Sequence, residues 1–215
     1  MKNEKYPSMR GKGLPSRKGE KLKISRILRP TEARVRSAIF DILGDISGLS
    51  FLDLFAGSGS VGIEAISCRV KKAVFVEKNR KALNLIKDGL SGISISVSVN
   101  IVGLDVFKAI PRLYMDHELF DIVFLDPPYY AESRSFSKPV SGASRIKKGN
   151  NSVRGEDVSL AKKTLQTINV YDILTPSGLI LVQHYKKDIL SEGLDNFTLY
   201  RQYKYGDTCL SLYKR

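Results

Sequence analysis

The stretch Phe51-Leu52-Asp53-Leu54-Phe55-Ala56-Gly57-Ser58-Gly59-Ser60-Val61-Gly62 runs from an apolar strand through a glycine loop into a helix, and its reading decides the fold. Glycines at 57 and 59 let backbone approach a ligand closely, and the helix that follows presents unpaired N–H groups and the positive end of its dipole to an anion. Gly57, Gly59 and Gly62 satisfy a G-x-G-x-x-G pattern, and Glu77 lies twenty positions beyond Gly57, where dinucleotide enzymes place a ribose-binding acid. By itself the pattern is ambiguous between several nucleotide cofactors and a loop made of glycine only for tight packing.

Outward from this stretch, short apolar runs alternate with helical periodicity, the signature of a parallel sheet with crossover helices. Strands are expected near 50–54, 73–77, 97–102, 121–125 and 178–183, and helices at 60–68, 79–89, 105–115, 158–173 and 185–191. An earlier helix follows Arg29-Pro30-Thr31, with Thr31 as N-cap, Gly44 just past its end, and a stripe of Val35, Ala38, Ile39, Ile42 and Leu43. Two further strand-like runs, 197–203 and 208–213, flank Tyr205-Gly206-Asp207 and predict a terminal antiparallel hairpin. The expected fold is α/β, a mostly parallel seven-stranded sheet ending in that hairpin and preceded by a basic extension.

The chain has 215 residues, 42% of them hydrophobic, which suits one main domain with appendages. Residues 1–29 form a basic arm with ten Lys and Arg against Glu4 and Glu20; residues 30–215 form the domain, interrupted at 131–157 by an aperiodic basic insertion. The formal net charge of +13 favours a polyanionic partner. Arg34 and Arg36 lie off the apolar stripe of the first helix, placed to reach phosphates or to sit in water, and Lys147 and Lys148 lead the insertion as phosphate contacts. The two cysteines, Cys68 and Cys209, lack metal-ligand spacing, so neither a zinc site nor a disulfide framework is expected. With no signal-peptide core and no apolar span of membrane length, the expectation is a cytoplasmic protein without membrane or metal, acting as a monomer.

Asp53 narrows the choice of cofactor. An acid at the strand end puts negative charge where a pyrophosphate would sit, which disfavours a nicotinamide dinucleotide and suits a ligand carrying an ammonium, such as the amino-acid end of S-adenosylmethionine. Glu77 closes Ala73-Val74-Phe75-Val76 at the sheet's carboxyl edge, where it can accept both ribose hydroxyls. Asp105 ends the next strand, as an acceptor for the adenine amine or as a helix N-cap.

Asp126-Pro127-Pro128-Tyr129 follows the apolar run Ile122-Val123-Phe124-Leu125. The prolines lack N–H groups, so the turn offers acceptors and stiffness, and Tyr129 offers a face on which a displaced base can stack. Asp126 and the Pro127 carbonyl can hold an exocyclic aryl amine and draw its lone pair out of the ring. The plainer reading is a Pro-Pro strand terminator beside a packed tyrosine. His184, at a strand end, reads as a packing residue rather than a substrate contact.

Joined to Asp53-Leu54-Phe55-Ala56-Gly57-Ser58-Gly59, the Asp-Pro-Pro-Tyr sequence resembles the Rossmann-like class I methyltransferases that act on amino groups. More narrowly, Arg29-Pro30-Thr31-Glu32-Ala33-Arg34-Val35-Arg36, Ile63-Glu64-Ala65, Val76-Glu77-Lys78 and Lys204-Tyr205-Gly206-Asp207-Thr208 are similar to the RsmD type, over most of residues 24–215. The resemblance implies S-adenosylmethionine-dependent methylation of a guanine N2 amine in small-subunit (16S) ribosomal RNA, with naked RNA or an assembling subunit as partner. It implies cofactor roles for Asp53, Phe55, Gly57, Gly59, Glu77 and Asp105, and acceptor roles for Asp126, Pro127, Pro128 and Tyr129. An adenine-N6 methyltransferase and a non-catalytic RNA-binding or ribosome-assembly module are the alternative readings.

Overall fold

Strands that are apolar on both faces must be covered on both faces, and this requirement shapes the protein. The computed structural model describes residues 33–91, 93, 97–128 and 158–215. The arm at 1–29, Thr31, Tyr129 and the insertion with Lys147 and Lys148 lie outside the described residues. In chain order the elements are α1 (Ala33–Leu43), β1 (Ser50–Asp53), α2 (Ser60–Ser67), β2 (Lys72–Val76), α3 (Arg80–Ser91), β3 (Ser98–Val102), α4 (Val106–Met115), β4 (Phe120–Leu125), α5 (Leu160–Tyr171), β5 (Leu174–Tyr185), β6 (Thr198–Tyr205) and β7 (Thr208–Lys214). The seven strands form one sheet in the order β3-β2-β1-β4-β5-β7-β6, parallel from β3 to β5 and antiparallel at β7 and β6. The expected mixed α/β sheet with its closing hairpin is therefore present.

Strand periodicity divides the core between the two faces. On one face, Phe51, Phe75, Ile122, Phe124 and Leu181 pack against Val35 and Ile39 of α1, Val61 and Ala65 of α2, and Ile86 of α3. On the other, Leu52, Val74, Val123, Ile180 and Val182 meet Ile110 and Leu113 of α4 and Leu165 and Ile168 of α5. Phe51, Phe75 and Phe124 are fully buried, so truncating any one to alanine costs about 3–5 kcal/mol. α1 stops where expected: Gly44 takes a φ of 70° and donates its N–H to the Phe40 carbonyl at 3.0 Å.

The amino ends of the central strands are tied together by Asp121. Its carboxylate accepts from the Ser50 N–H and hydroxyl, both at 2.8 Å, and from the Thr175 hydroxyl at 3.0 Å, with the Lys71 ammonium 3.3 Å away. Burial alone would raise its pKa, but the hydrogen bonds from Ser50, Thr175 and Lys71 outweigh burial and hold it below the ordinary carboxylate value. β4 pairs with β5 at Phe120–Leu174 and again at Ile122–Leu179, so β5 bulges around Asp121 and begins earlier than the expected 178.

The helix expected at 185–191 does not form. β5 continues to Tyr185, after which the Lys186 N–H is captured by the Asp207 carbonyl at 2.9 Å and the Asp188 N–H by the Tyr185 carbonyl at 2.8 Å. The Lys186 ammonium also pairs with the Asp207 carboxylate at 2.7 Å. Pairing of Tyr185 with Thr208 of β7 keeps the start of the segment extended, the Tyr185 carbonyl is taken by the Asp188 N–H in a tight turn and by the His184 Nδ1–H, and so short a segment cannot offset the cost of helix nucleation. No helix among the described residues is long and apolar enough to cross a membrane.

Candidate functional site

The chain leaves β1 in one direction through β2 and β3 and returns on the other side of β1 through β4 and β5, so the sheet order reverses between β1 and β4. Ligands of open α/β sheets bind outside the carboxyl ends of the strands at such a point. Asp53 ends β1 and Asp126 follows β4, which puts both acids at this crevice. Asp53 stands in register between Phe75 of β2 and Phe124 of β4, on the face covered by α1, α2 and α3.

The loop after β1 is held by both neighbouring strands. Leu54 donates its N–H to the Phe124 carbonyl and Ala56 donates to the Val76 carbonyl, each at 3.0 Å. The chain then turns tightly, with Gly59 donating to the Ala56 carbonyl at 2.7 Å and left-handed φ values of 53° at Gly57 and 80° at Gly59. Side chains are strained in that region, which is why glycine stands at both positions. Gly59 caps α2 without a side-chain hydrogen bond, and within the first turn the Gly62 N–H is instead directed at the Asp53 carboxylate. Gly62 also serves packing. A Cβ there would lie 2.2 Å from the Phe75 ring, so its lack of a side chain lets α2 seat directly on β2.

Glu77 is the clasp of the loop. One carboxylate oxygen accepts from the Gly57 N–H at 2.9 Å and the other from the Asn79 N–H at 2.7 Å. Each oxygen retains a second lone pair, so these bonds leave acceptor capacity for a pair of hydroxyls. Asn79 in turn accepts from the N–H groups of Lys81 and Ala82 at 2.9 and 3.3 Å, capping α3. Asp105 caps α4 by accepting from the Phe107 N–H at 3.1 Å, and its other oxygen meets the Lys78 ammonium at 2.9 Å. Partial burial would raise the Asp105 pKa, but Lys78, Phe107 and Lys108 lower it, so it is an engaged carboxylate.

Asp53 is almost sealed, at 1% exposure, and its Oδ1 has no hydrogen-bond partner. Burial first, and then the nearby Asp126 and Glu77, push its carboxyl up to about 7 against the backbone N–H groups of Gly62 and Phe55, which favour the charged form. The sheet thus brings Asp53, Asp126 and Glu77 into one electrostatic cluster. Phe55 is half-buried and packs against the α4/α5 side of the core. Pro127 is buried, and Pro128 is exposed beside it.

Arg34 is exposed on α1, whereas Arg36 lies 3.8 Å from Glu64 of α2. His184 is buried: its Nδ1–H donates to the Tyr185 carbonyl at 3.0 Å, and its Nε2 accepts from the Ser211 hydroxyl at 2.8 Å. Ser211 accepts in turn from the Gln202 amide at 2.9 Å, so the imidazole is a neutral bridge across β5, β7 and β6. Lys78 and Asn79 were missed by sequence reasoning. A lysine directly after a strand-end glutamate is a weak signal, but Asn79, three residues before Ala82 at the start of a helical pattern, is an N-cap signature.

A family model described as conserved hypothetical protein 95 matches residues 10–148. The Bacillus subtilis protein YlbH, assigned by name to the rRNA methyltransferases, is 28% identical over 203 residues, which cover 93% of this chain and 96% of that protein. The ribosomal RNA small subunit methyltransferase D of Haemophilus influenzae is 38% identical over 120 residues, 53% of this chain and 60% of its own. A conserved hypothetical protein of Streptococcus pyogenes, whose structure is solved, superposes with a TM-score of 0.65 at 27% identity, over 84% of this chain and 94% of its own. With its fold, its glycine loop and a family match over most of its length, the chain belongs to the conserved hypothetical protein 95 family, the RsmD-type methyltransferases.

Proposed function

We propose that this protein methylates the exocyclic N2 amine of a guanine in small-subunit ribosomal RNA, with S-adenosylmethionine as cofactor. The observation that carries the reading is the meeting of Asp53 and Asp126 across the β1/β4 crevice, one acid on the glycine loop and the other opening the Asp-Pro-Pro turn. The names of relatives, including the Haemophilus influenzae small subunit methyltransferase D, support ribosomal RNA as the substrate class.

The residues fit this cofactor. The acid at the end of β1 suits an ammonium, the amino end of α2 suits the adjoining carboxylate, and Glu77 keeps acceptor capacity for ribose hydroxyls. Asp105 is the acid proposed for the base amine, although its cap and its Lys78 pair already engage both oxygens. When bound, S-adenosylmethionine supplies a methyl group on a sulfonium.

Asp126 and the Pro127 carbonyl accept the two hydrogens of the guanine amine, which draws the nitrogen toward tetrahedral geometry and frees its lone pair. The amine proton becomes acidic only as the new bond forms, so positioning matters more than base strength, and Asp126 can take the proton and pass it to water. Tyr129 stacks on the displaced base, while Arg34, Arg36, Lys147 and Lys148 engage RNA phosphate, consistent with the net charge of +13. The protein acts as a monomer in the cytoplasm in this reading.

The test is incubation of the purified chain with labelled cofactor and either naked 16S RNA or small subunits from a deletion strain, followed by nucleoside mass spectrometry. N2-methylguanosine is the expected product. N6-methyladenosine would replace the reading with an adenine enzyme, and no methylated nucleoside on either substrate would favour a non-catalytic assembly module.

A further inference from the structure

β6 is an outer edge of the sheet, and charge on an edge strand keeps other strands from pairing with it. This edge carries more than charge. It reads Thr198-Leu199-Tyr200-Arg201-Gln202-Tyr203-Lys204-Tyr205, in which aromatic rings are interleaved with cations. Tyr200 is 57% exposed, and Arg201, Gln202 and Lys204 are exposed after it. Protection of an edge requires no exposed aromatic ring.

A β-bulge assembles the cluster. Leu199 pairs with Tyr213 and Arg201 with Leu212, so Tyr200 is the extra residue between them. In a regular strand Tyr200 and Arg201 would point to opposite faces. Here the Arg201 guanidinium lies 5.9 Å from the ring centroids of both Tyr200 and Tyr203. Lys214 of β7 places its ammonium 3.6 Å from the Tyr200 centroid. Among the described residues no carboxylate pairs with Arg201, Lys204 or Lys214. The single acid from Thr198 to Lys214 is Asp207, which the Lys186 ammonium already holds. The charge of this edge therefore complements an anion from outside the chain.

The same edge reaches the rim of the candidate site. Leu125 of β4, Val182 of β5, Ser211 of β7 and Gln202 of β6 form one row across the sheet. Tyr203, Lys204 and Tyr205 lie beyond that row, on the side where Asp126 follows β4. Three strand spacings separate β6 from β4, about 14 Å, or about four nucleotides at a rise of ~3.4 Å. β5, which stands between β4 and β7, is followed by the exposed Lys187.

We propose that β6, with Lys214 of β7, is a docking platform for single-stranded RNA flanking the nucleotide to be methylated. A base stacks on the exposed ring of Tyr200, which Lys214 holds in place, and phosphates of the strand pair with Arg201, Lys204 and Lys214. Aromatic faces combined with cations bind single strands with little regard to sequence, because every base has a π-face. The platform fixes the strand beside the site and leaves the choice of nucleotide to the Asp126 turn. The inference rests on the RNA methyltransferase reading above.

Fluorescence anisotropy of the full chain with an unstructured single-stranded RNA of about twelve nucleotides tests this. Tyr200→Leu should weaken binding about 5- to 100-fold with the salt dependence unchanged, whereas Tyr200→Phe, which keeps the ring, should bind as the wild type does. Replacing Arg201, Lys204 and Lys214 together by glutamine should lower the slope of log affinity against log salt by about 2, at ~0.7 for each phosphate contact on a single strand. With 16S RNA as substrate, Tyr200→Leu and the triple variant should raise KM and keep kcat.

Wild-type affinity for the oligonucleotide in Tyr200→Leu and in the triple variant would overturn the inference, as would equal competition by a duplex of the same length, which offers phosphates but no open base faces. A change of oligomeric state in these variants with RNA affinity kept would assign the edge to a second copy of the chain instead. Oligonucleotide binding that depends on β6, in a wild-type chain that methylates no nucleoside, would overturn the methyltransferase reading and leave the platform standing as an RNA-binding surface.

Discussion

The carboxylate of Glu77, at the end of β2, accepts a 2.9 Å hydrogen bond from the N–H of Gly57, in the loop that leaves β1. A residue just past one strand thus sets the shape of the glycine loop beyond its neighbour, and any ligand contact Glu77 makes is coupled to that shape. Glu77→Ala should release the loop as well as remove an acceptor. Hydrogen bonds to a charged group contribute about 1.5–3 kcal/mol, so S-adenosylhomocysteine affinity should fall about 10- to 100-fold by calorimetry. Glu77→Gln keeps one oxygen acceptor and should fall less. Equal losses in the two variants would mean that the charge matters and the clasp does not.

Gly62→Ala should destabilise the fold, because its Cβ would lie 2.2 Å from the Phe75 ring in a packed core. Overpacking of this kind costs about 1–3 kcal/mol. Combining Gly62→Ala with Phe75→Leu should recover part of that loss in a double-mutant cycle of urea unfolding. Strict additivity of the two substitutions would show that α2 shifts away from β2 rather than pressing on it.

Asp53 and His184 should give the unliganded protein opposing pH dependences of stability. Asp53 is raised from 3.8 to about 7 in the folded state, so its contribution is full below 3.8 and is lost as pH rises through about 7. His184 is lowered from 6.5, chiefly by burial, so its contribution is present above 6.5 and is lost as pH falls through its folded value. Asp53→Asn should therefore stabilise the unliganded protein above pH 7, by an amount on the order of a few kcal/mol. His184→Gln should flatten the acid side of the profile. Thermal melts from pH 4 to pH 8 read both, and an Asp53→Asn curve parallel to the wild type would show that Asp53 does not titrate in this window.

Asp126→Ala should abolish methyl transfer, by about 100- to 1,000-fold, if its carboxylate positions the acceptor amine. Affinity for S-adenosylhomocysteine at pH 8 should change little, since Asp126 belongs to the turn after β4 and the loop clasps are on β1 and β2. A collapse of that affinity in a folded variant would move Asp126 into the cofactor site.

Much of this architecture is legible in local pattern. The glycine loop, the alternation of apolar runs with helical stripes, and the turn at Tyr205-Gly206-Asp207 each obey a short-range rule, and the strands and most helices follow from them. The same periodicity misjudged residues 185–191, where pairing with β7 carries β5 on to Tyr185 and the Lys186 N–H meets Asp207 in the hairpin turn. Local pattern also placed acids at the ends of β1, β2 and β4 without saying how they interact.

The amino-acid sequence by itself determined which residues reach the carboxyl rim, because strand period and turn chemistry are properties of neighbours along the chain. Tertiary structure alone decided what those residues meet there: Glu77 on the Gly57 amide, Lys78 on Asp105, His184 between Tyr185 and Ser211, and Asp53 buried beside Asp126. The physical reason is that burial and charge coupling depend on the register between strands distant in sequence, and an ordinary strand-end aspartate becomes a group that titrates near neutrality only when that register seals it beside another acid.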